Sequence, residues 1–185
     1  MSQKYSYILG LNTYDHDVSA CLLRDGVIAF AIAKERLTRQ KHAPGFYKEV
    51  IDYCLNAEGI SLDDVELIVR NCYILPVGEM EKRLVHQEMP YYFGGDERKK
   101  ASSHPLFLSR SSKVLTISHH LAHAYSAFAV CPFNDGVIMV VDGVGSYKSD
   151  VDERFSLDDG PSPLARESES YYRFEGNEIE TLKKV

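Results

Sequence analysis

Alternating apolar and polar positions organise the first third of the chain. Tyr5 to Leu11 is a short apolar run closed by Asn12, Ser19 to Leu23 resumes it, and Val27 to Lys34 repeats it. Asp25-Gly26, between the last two runs, is the strongest hairpin signal in the sequence, so three antiparallel strands are predicted to open the fold. From Phe46 to Ala57 the period changes. Tyr47, Val50, Ile51, Cys54 and Leu55 fall on one helical face, and Gly59 is placed to end that helix. Val65 to Arg70 reads as a strand in the next, parallel position. Regularity is lost between 73 and 112: Glu79 to Gln87 has helical spacing, but Pro90, the aromatics at 91–93 and Gly94-Gly95 interrupt it, and the stretch reads as an insertion or lid. Lys113 to Ile117 is a predicted strand, His119 to Val130 a helix stopped by Cys131-Pro132, and Val137 to Asp142 another strand. An acid-, serine- and proline-rich loop over 149–169 then leads to a predicted hairpin, Ser170 to Phe174 and Glu180 to Val185, turning at Glu175-Gly176-Asn177.

Three strands, a helix, a strand, a crossover and a helix make one ribonuclease-H-like half. The expected class is therefore α/β, a ribonuclease-H-like or actin-like mixed sheet with helices. Residues 1–132 are expected to form the first subdomain, with 73–112 as its insertion or lid, and 133–185 the start of a second. Strands without following helices would leave apolar surface bare in that second part. The first half is thus expected complete, the second truncated, and the chain an N-terminal piece.

Composition narrows the partners. With 185 residues, 44% hydrophobic, and a formal charge of -6, the chain has the make-up of an ordinary globular protein. Its acidic balance argues against a nucleic-acid partner, which needs a basic face. Cys21, Cys54, Cys72 and Cys131 form no C-x-x-C pair and read as reduced, packed thiols. There is no apolar N-terminal core of signal-peptide length and no window near the roughly 20 apolar residues of a membrane span. A cytoplasmic location without a membrane partner is expected.

Candidate chemistry concentrates in two places. On a helix, residues four apart project from one face, so His119 and His123 can offer two imidazoles to one ion while His120 points elsewhere. Asp142, at the carboxyl end of an apolar strand, can supply a third ligand. Two imidazoles and one carboxylate suit iron, zinc or a similar divalent ion, and three protein ligands leave positions open for substrate. The competing reading is a chance pair of surface or core histidines. Small residues at Ala122, Ala124, Ser126 and Ala127, and the Asp-Gly-x-Gly turn at 142–145, favour the site. The second place is the loop after the first strand, where Asn12, Asp15, His16 and Asp17 gather; an ordinary Asx turn would look the same. Arg36, Arg39 and Lys41, in the basic run at 34–42, fit either a solvated face or an anion clamp.

Four blocks carry a family resemblance: Ile-Leu-Gly-Leu-Asn-Thr-Tyr-Asp-His-Asp-Val-Ser-Ala at 8–20, Lys-Glu-Arg-Leu-Thr-Arg-Gln-Lys-His at 34–42, Ser-His-His-Leu-Ala-His-Ala-Tyr-Ser-Ala-Phe at 118–128, and Val-Val-Asp-Gly-Val-Gly at 140–145. In this order they resemble the O-carbamoyltransferase family of nodulation-factor and antibiotic biosynthesis. The resemblance implies a duplicated actin-like domain related to tRNA threonylcarbamoyl-transfer proteins. It also implies a C-terminal domain, absent here, that makes carbamoyl-adenylate from carbamoyl phosphate and ATP. It assigns His119, His123 and Asp142 to a metal, iron in the first place and zinc in the second; a further aspartate ligand of the family has no counterpart in this chain. His16 matches the family histidine near the transferred carbamoyl group, where a neutral imidazole takes the proton of an acceptor hydroxyl. Asn12, Gly143 and Gly145 are implied at a nucleotide phosphate, and Arg36, Arg39 and Lys41 as anion contacts. The implied partners are a small hydroxylated acceptor, the remainder of the enzyme and a second copy in a homodimer. A sugar-kinase-type phosphotransferase and a non-catalytic binding module of the same fold are the alternatives. The His-x-x-x-His pair weighs against the first, because magnesium prefers oxygen ligands.

Overall fold

The computed structural model describes residues 5–12, 17–43, 47–71, 113–148 and 165–185. His16, the expected lid at 73–112, Cys72, Pro44-Gly45 and most of the 149–169 loop lie outside the described residues. Those described fall into two compact units, one running through Thr116 and the other from Ile117 to Val185.

In the first unit β1 (Tyr7–Asn12), β2 (Ser19–Arg24) and β3 (Val27–Ala33) form the predicted antiparallel meander. Asp25 and Gly26 turn β2 into β3 with φ of 51° and 79°, the paired positive values that a tight two-residue hairpin demands. β4 (Leu67–Asn71) runs parallel to β1, and β5 (Val114–Ile117) completes a five-stranded sheet of order β3-β2-β1-β4-β5. This is the mixed α/β sheet expected from the pattern. Tyr7, Leu9 and Leu11 alternate inward on β1, as do Ala20 and Leu22 on β2. Helix α2 (Lys48–Glu58) covers β2 and β3 and buries Val50, Ile51, Cys54 and Leu55. Gly59 ends it at φ 74°, donating back to Asn56 and Leu55.

One element departs from the pattern. Lys34 is not the end of β3 but the start of a short helix, α1 (Lys34–Thr38), whose aliphatic stem is buried while its Nζ lies 3.8 Å from Glu49. A charged run hides such a turn, because a lysine can bury its stem and still reach a carboxylate.

The second unit holds α3 (His119–Phe128) and a three-stranded sheet of order β6-β7-β8, formed by Asp135–Val141, Glu169–Glu175 and Glu178–Lys184. Both pairings are antiparallel. Gly176-Asn177 turns β7 into β8, close to the predicted hairpin. The division of the chain differs from the expected boundary at 132/133. That boundary puts helix α3 in the first subdomain, yet Ala124 packs on Val140 and Tyr172, with Leu121, Ile138 and Ile179 around them, and Phe128 stacks edge-on with Phe174. Apolar complementarity with β6 and β7 thus places the helix with the strands that follow it. Among the described residues no helix is long and apolar enough to cross a membrane.

Candidate metal centre

Ser118 starts α3. Its backbone is extended, and its hydroxyl accepts the Leu121 N–H at 3.1 Å, the arrangement that favours serine before a helix. With the start fixed, His119 and His123 share one face, and β6 ends so that Asp142 meets them. His119 Nε2 lies 2.8 Å from Asp142 Oδ2 and 3.1 Å from His123 Nε2, and the last pair, His123 Nε2 and Asp142 Oδ2, is 3.7 Å apart.

These distances test the donor set. Ligand atoms around a tetrahedral ion at 2.0–2.1 Å stand about 3.3 Å from one another. The triangle formed here has a circumscribed radius of about 1.9 Å, so one point lies at bonding distance from all three atoms. The two imidazoles meet edge to face, with an interplanar angle of 84°. Donor chemistry agrees with the geometry. Burial lowers the pKa of His119 despite the opposing pull of Asp142, so the ring is neutral at pH 7. Burial alone would raise the Asp142 carboxyl, but the Gly143 N–H and the His119 and His123 rings outweigh it and hold the group below its ordinary value. Both are therefore in the protonation state that a metal ligand requires. The set suits iron or zinc.

His120 points away from the His119 and His123 face, into the interior. It is fully buried, its Nδ1 lies 2.8 Å from Ser170 Oγ, and its Nε2 has no hydrogen-bond partner among the described residues. Burial pushes its pKa down. Around it lies a group of residues that the sequence reading did not single out. Lys184 and Glu167 form an ion pair with both side chains wholly buried. Lys184 also donates to Ser118 Oγ at 3.0 Å, while Glu167 Oε2 accepts the Ser146 N–H at 2.8 Å and the His120 N–H at 3.3 Å. Ser146 Oγ in turn accepts the His119 N–H at 2.8 Å. Burial alone would raise the Glu167 carboxyl, but Lys184 and the Ser146 N–H hold it below its usual value.

The remaining predicted residues are placed as follows. The Gly143 N–H is donated to Asp142 Oδ1 and the Gly145 N–H to the Glu167 carbonyl, at 2.7 Å each, so both amides serve the unit itself. Gly145 has a packing reason to be glycine: a Cβ there would lie 2.7 Å from Glu167 Cβ and 2.9 Å from His120 Cδ2. In the first unit, Asn12 donates to the Asp17 carbonyl at 2.9 Å and accepts from Asn71 at 3.0 Å, which ties the end of β1 to β4. Arg36, Arg39 and Lys41 are exposed, and Arg36 pairs with its neighbour Glu35. Asp17, Glu35 and His42 form a second convergent group, with His42 Nδ1 2.9 Å from Asp17 Oδ1. Cys21, Cys54 and Cys131 are free thiols, and burial raises the Cys54 pKa to about 11.

Comparison with known proteins adds a family likeness. The family described as Carbamoyltransferase N-terminus matches residues 7–89. The uncharacterized protein sll1178 of Synechocystis sp. is 34% identical over 163 residues, spanning 77% of this chain and 26% of the relative. Nodulation protein NolNO of Sinorhizobium fredii is 32% identical over 142 residues, spanning 75% of this chain and 21% of the relative. The chain thus spans about a quarter of the length of these curated relatives. The solved structure of YeaZ from Pseudomonas aeruginosa aligns with 95% of this chain and 64% of its own, at a TM-score of 0.48 and 14% identity.

Proposed function

We propose, from the match of residues 7–89 to the family described as Carbamoyltransferase N-terminus, that the chain is the N-terminal region of an ATP-dependent O-carbamoyltransferase. The reaction moves a carbamoyl group from carbamoyl-adenylate to a hydroxyl of a small natural product. The acceptor oxygen attacks the carbamoyl carbon, the bond from that carbon to the adenylate oxygen breaks, AMP leaves with the electron pair, and the hydroxyl proton passes to a base. His16 is assigned as that base.

The observation that supports this reading most is the convergence of His119, His123 and Asp142 on one point. The two imidazoles and the carboxylate would hold a divalent ion, which when bound supplies Lewis acidity to the carbamoyl oxygen. Exposure of His123 and Asp142 leaves the outer side of the set open to a substrate, whereas His119 is the inner, more sheltered ligand. Two imidazoles also favour this reading over a phosphotransferase built on magnesium, a hard ion that takes oxygen ligands.

Elemental analysis of the purified protein, beside a His119→Ala/His123→Ala variant, tests the site. Near one equivalent of iron or zinc in the first and none in the second is expected. Transfer is tested on the full-length protein with carbamoyl phosphate, ATP and hydroxylated acceptors. Formation of O-carbamate and AMP is expected, and loss of both in His16→Ala with the metal retained separates the base from the ligands. A metal-loaded protein that forms neither product would sink the proposal and leave a binding module.

A further inference from the structure

The start of α3 is held in an unusual way. The first four N–H groups of a helix need acceptors from outside the helical ladder. Here three of them each find a different side chain: His119 N–H bonds Ser146, His120 N–H bonds Glu167, and Leu121 N–H bonds Ser118. Only Ser118 is the helix's own cap. Ser146 lies in the segment that begins at Asp142, and Glu167 grips that segment twice, through its side chain at Ser146 N–H and through its carbonyl at Gly145 N–H. One residue therefore joins the piece of chain carrying two imidazoles to the piece carrying the carboxylate. Gly145 allows the approach, since a Cβ there would strike Glu167.

A wholly buried ion pair is a poor way to gain stability, because apolar residues of similar volume do as well or better. Its geometry is what apolar replacements lack. We infer that Glu167 is a positioning residue for the His119, His123 and Asp142 donor set, with Lys184 as the counter-ion that lets its carboxylate lie in the interior. The inference rests on reading that set as a metal site. Partners of this kind orient ligands at a distance, and their loss weakens metal binding about 10–100-fold.

Cobalt(II) titration of the full chain, followed by absorption spectroscopy, tests this. Two double variants remove the buried charges alike. Glu167→Gln/Lys184→Met keeps an oxygen facing the His120 and Ser146 N–H groups, and Glu167→Met/Lys184→Met does not. Circular dichroism establishes that each is folded. The first is expected to bind cobalt within about threefold of the wild type, and the second about 10–100-fold more weakly with an altered visible spectrum. Equal binding by the two folded double variants overturns the inference. Should the second not fold, Glu167→Asp draws the carboxylate back by one methylene while keeping its charge. A loss of about tenfold is then expected, and wild-type affinity overturns the inference. A wild-type chain that takes up no cobalt overturns the metal reading itself, and this inference with it.

Discussion

The two units present the same local plan with different interiors. In each, three strands follow one another as an antiparallel meander, and in each the register slips between the second and third strands, at Leu22/Leu23 in one and Tyr171/Tyr172 in the other. Under the first meander the face toward α2 is closed by Leu9, Leu22, Ile51 and Cys54, all essentially inaccessible. Its buried polar residues, Lys34, Arg70 and Asn71, stand at element ends. Under the second, the apolar cluster is small, and Ser118, His120, Ser146, Glu167, Ser170 and Lys184 are buried beside it. The difference separates two uses of burial. Apolar packing gives the first unit its stability, while the second gives up part of that gain to fix the directions of a few hydrogen bonds.

The sharpest way to break this contrast is Lys184→Met alone. It strands the Glu167 carboxylate without its counter-charge and is expected to cost about 3–5 kcal/mol in urea unfolding; a cost under about 1 kcal/mol would show the pair to be incidental. Leu22→Ala removes a fully buried side chain from the other interior and is expected to cost about 2–5 kcal/mol. Cobalt affinity of the folded protein should survive it, so a coupled loss of affinity would erase the distinction between the units. Gly145→Ala should cost about 1–3 kcal/mol through overpacking against Glu167 and His120, whereas Gly143→Ala meets nothing within 4 Å and should stay within about 0.5 kcal/mol.

Acid titration sharpens the contrast further. His120 has a pKa lowered from 6.5 in the folded chain, so below 6.5 the unfolded chain takes up a proton that the folded one refuses. Stability should therefore decline as pH falls from about 6.5 toward the lower folded pKa, and no further on this account. Glu167, held below 4.5, contributes stability above that value which is lost as pH falls through its folded pKa. Urea midpoints between pH 7.5 and 5 should thus fall for the wild type and fall less for His120→Leu. The smallest effects are expected at Arg36, Arg39 and Lys41, where alanine should change stability by no more than about 0.5 kcal/mol.

How much of this was legible depends on which residues speak through spacing. The Asp25-Gly26 turn, the helical face of α2 and its Gly59 cap, and the facing pair His119 and His123 all declare themselves by local rules. Asp142 was readable too, as a carboxylate at the end of an apolar strand. Helix α1 was not, because a run of charges resembles a solvated loop even where Lys34 is buried. Glu167 sits in a serine- and acid-rich stretch that reads as loop, and Lys184 follows another lysine at the end of β8. Nothing in either neighbourhood signals a partner 17 residues away. Ser118 is of a residue type that starts helices, but nothing in the sequence points to its second bond, to Lys184. Gly145 illustrates a different gap: the family resemblance implies a phosphate beside it, and here Glu167 occupies the space that its missing Cβ leaves.

The bond from Lys184 to Ser118 spans 66 residues, and that separation sets an order of events. Long-range closures come late in folding, after local turns and helices have formed. While the polypeptide is being made, α3 can wind as soon as its own cap is present, but the anchor beneath it arrives only with the β7–β8 hairpin. On the metal reading proposed above, the two imidazoles would until then be a loose pair, and capture of an ion would be timed to the completion of the second unit.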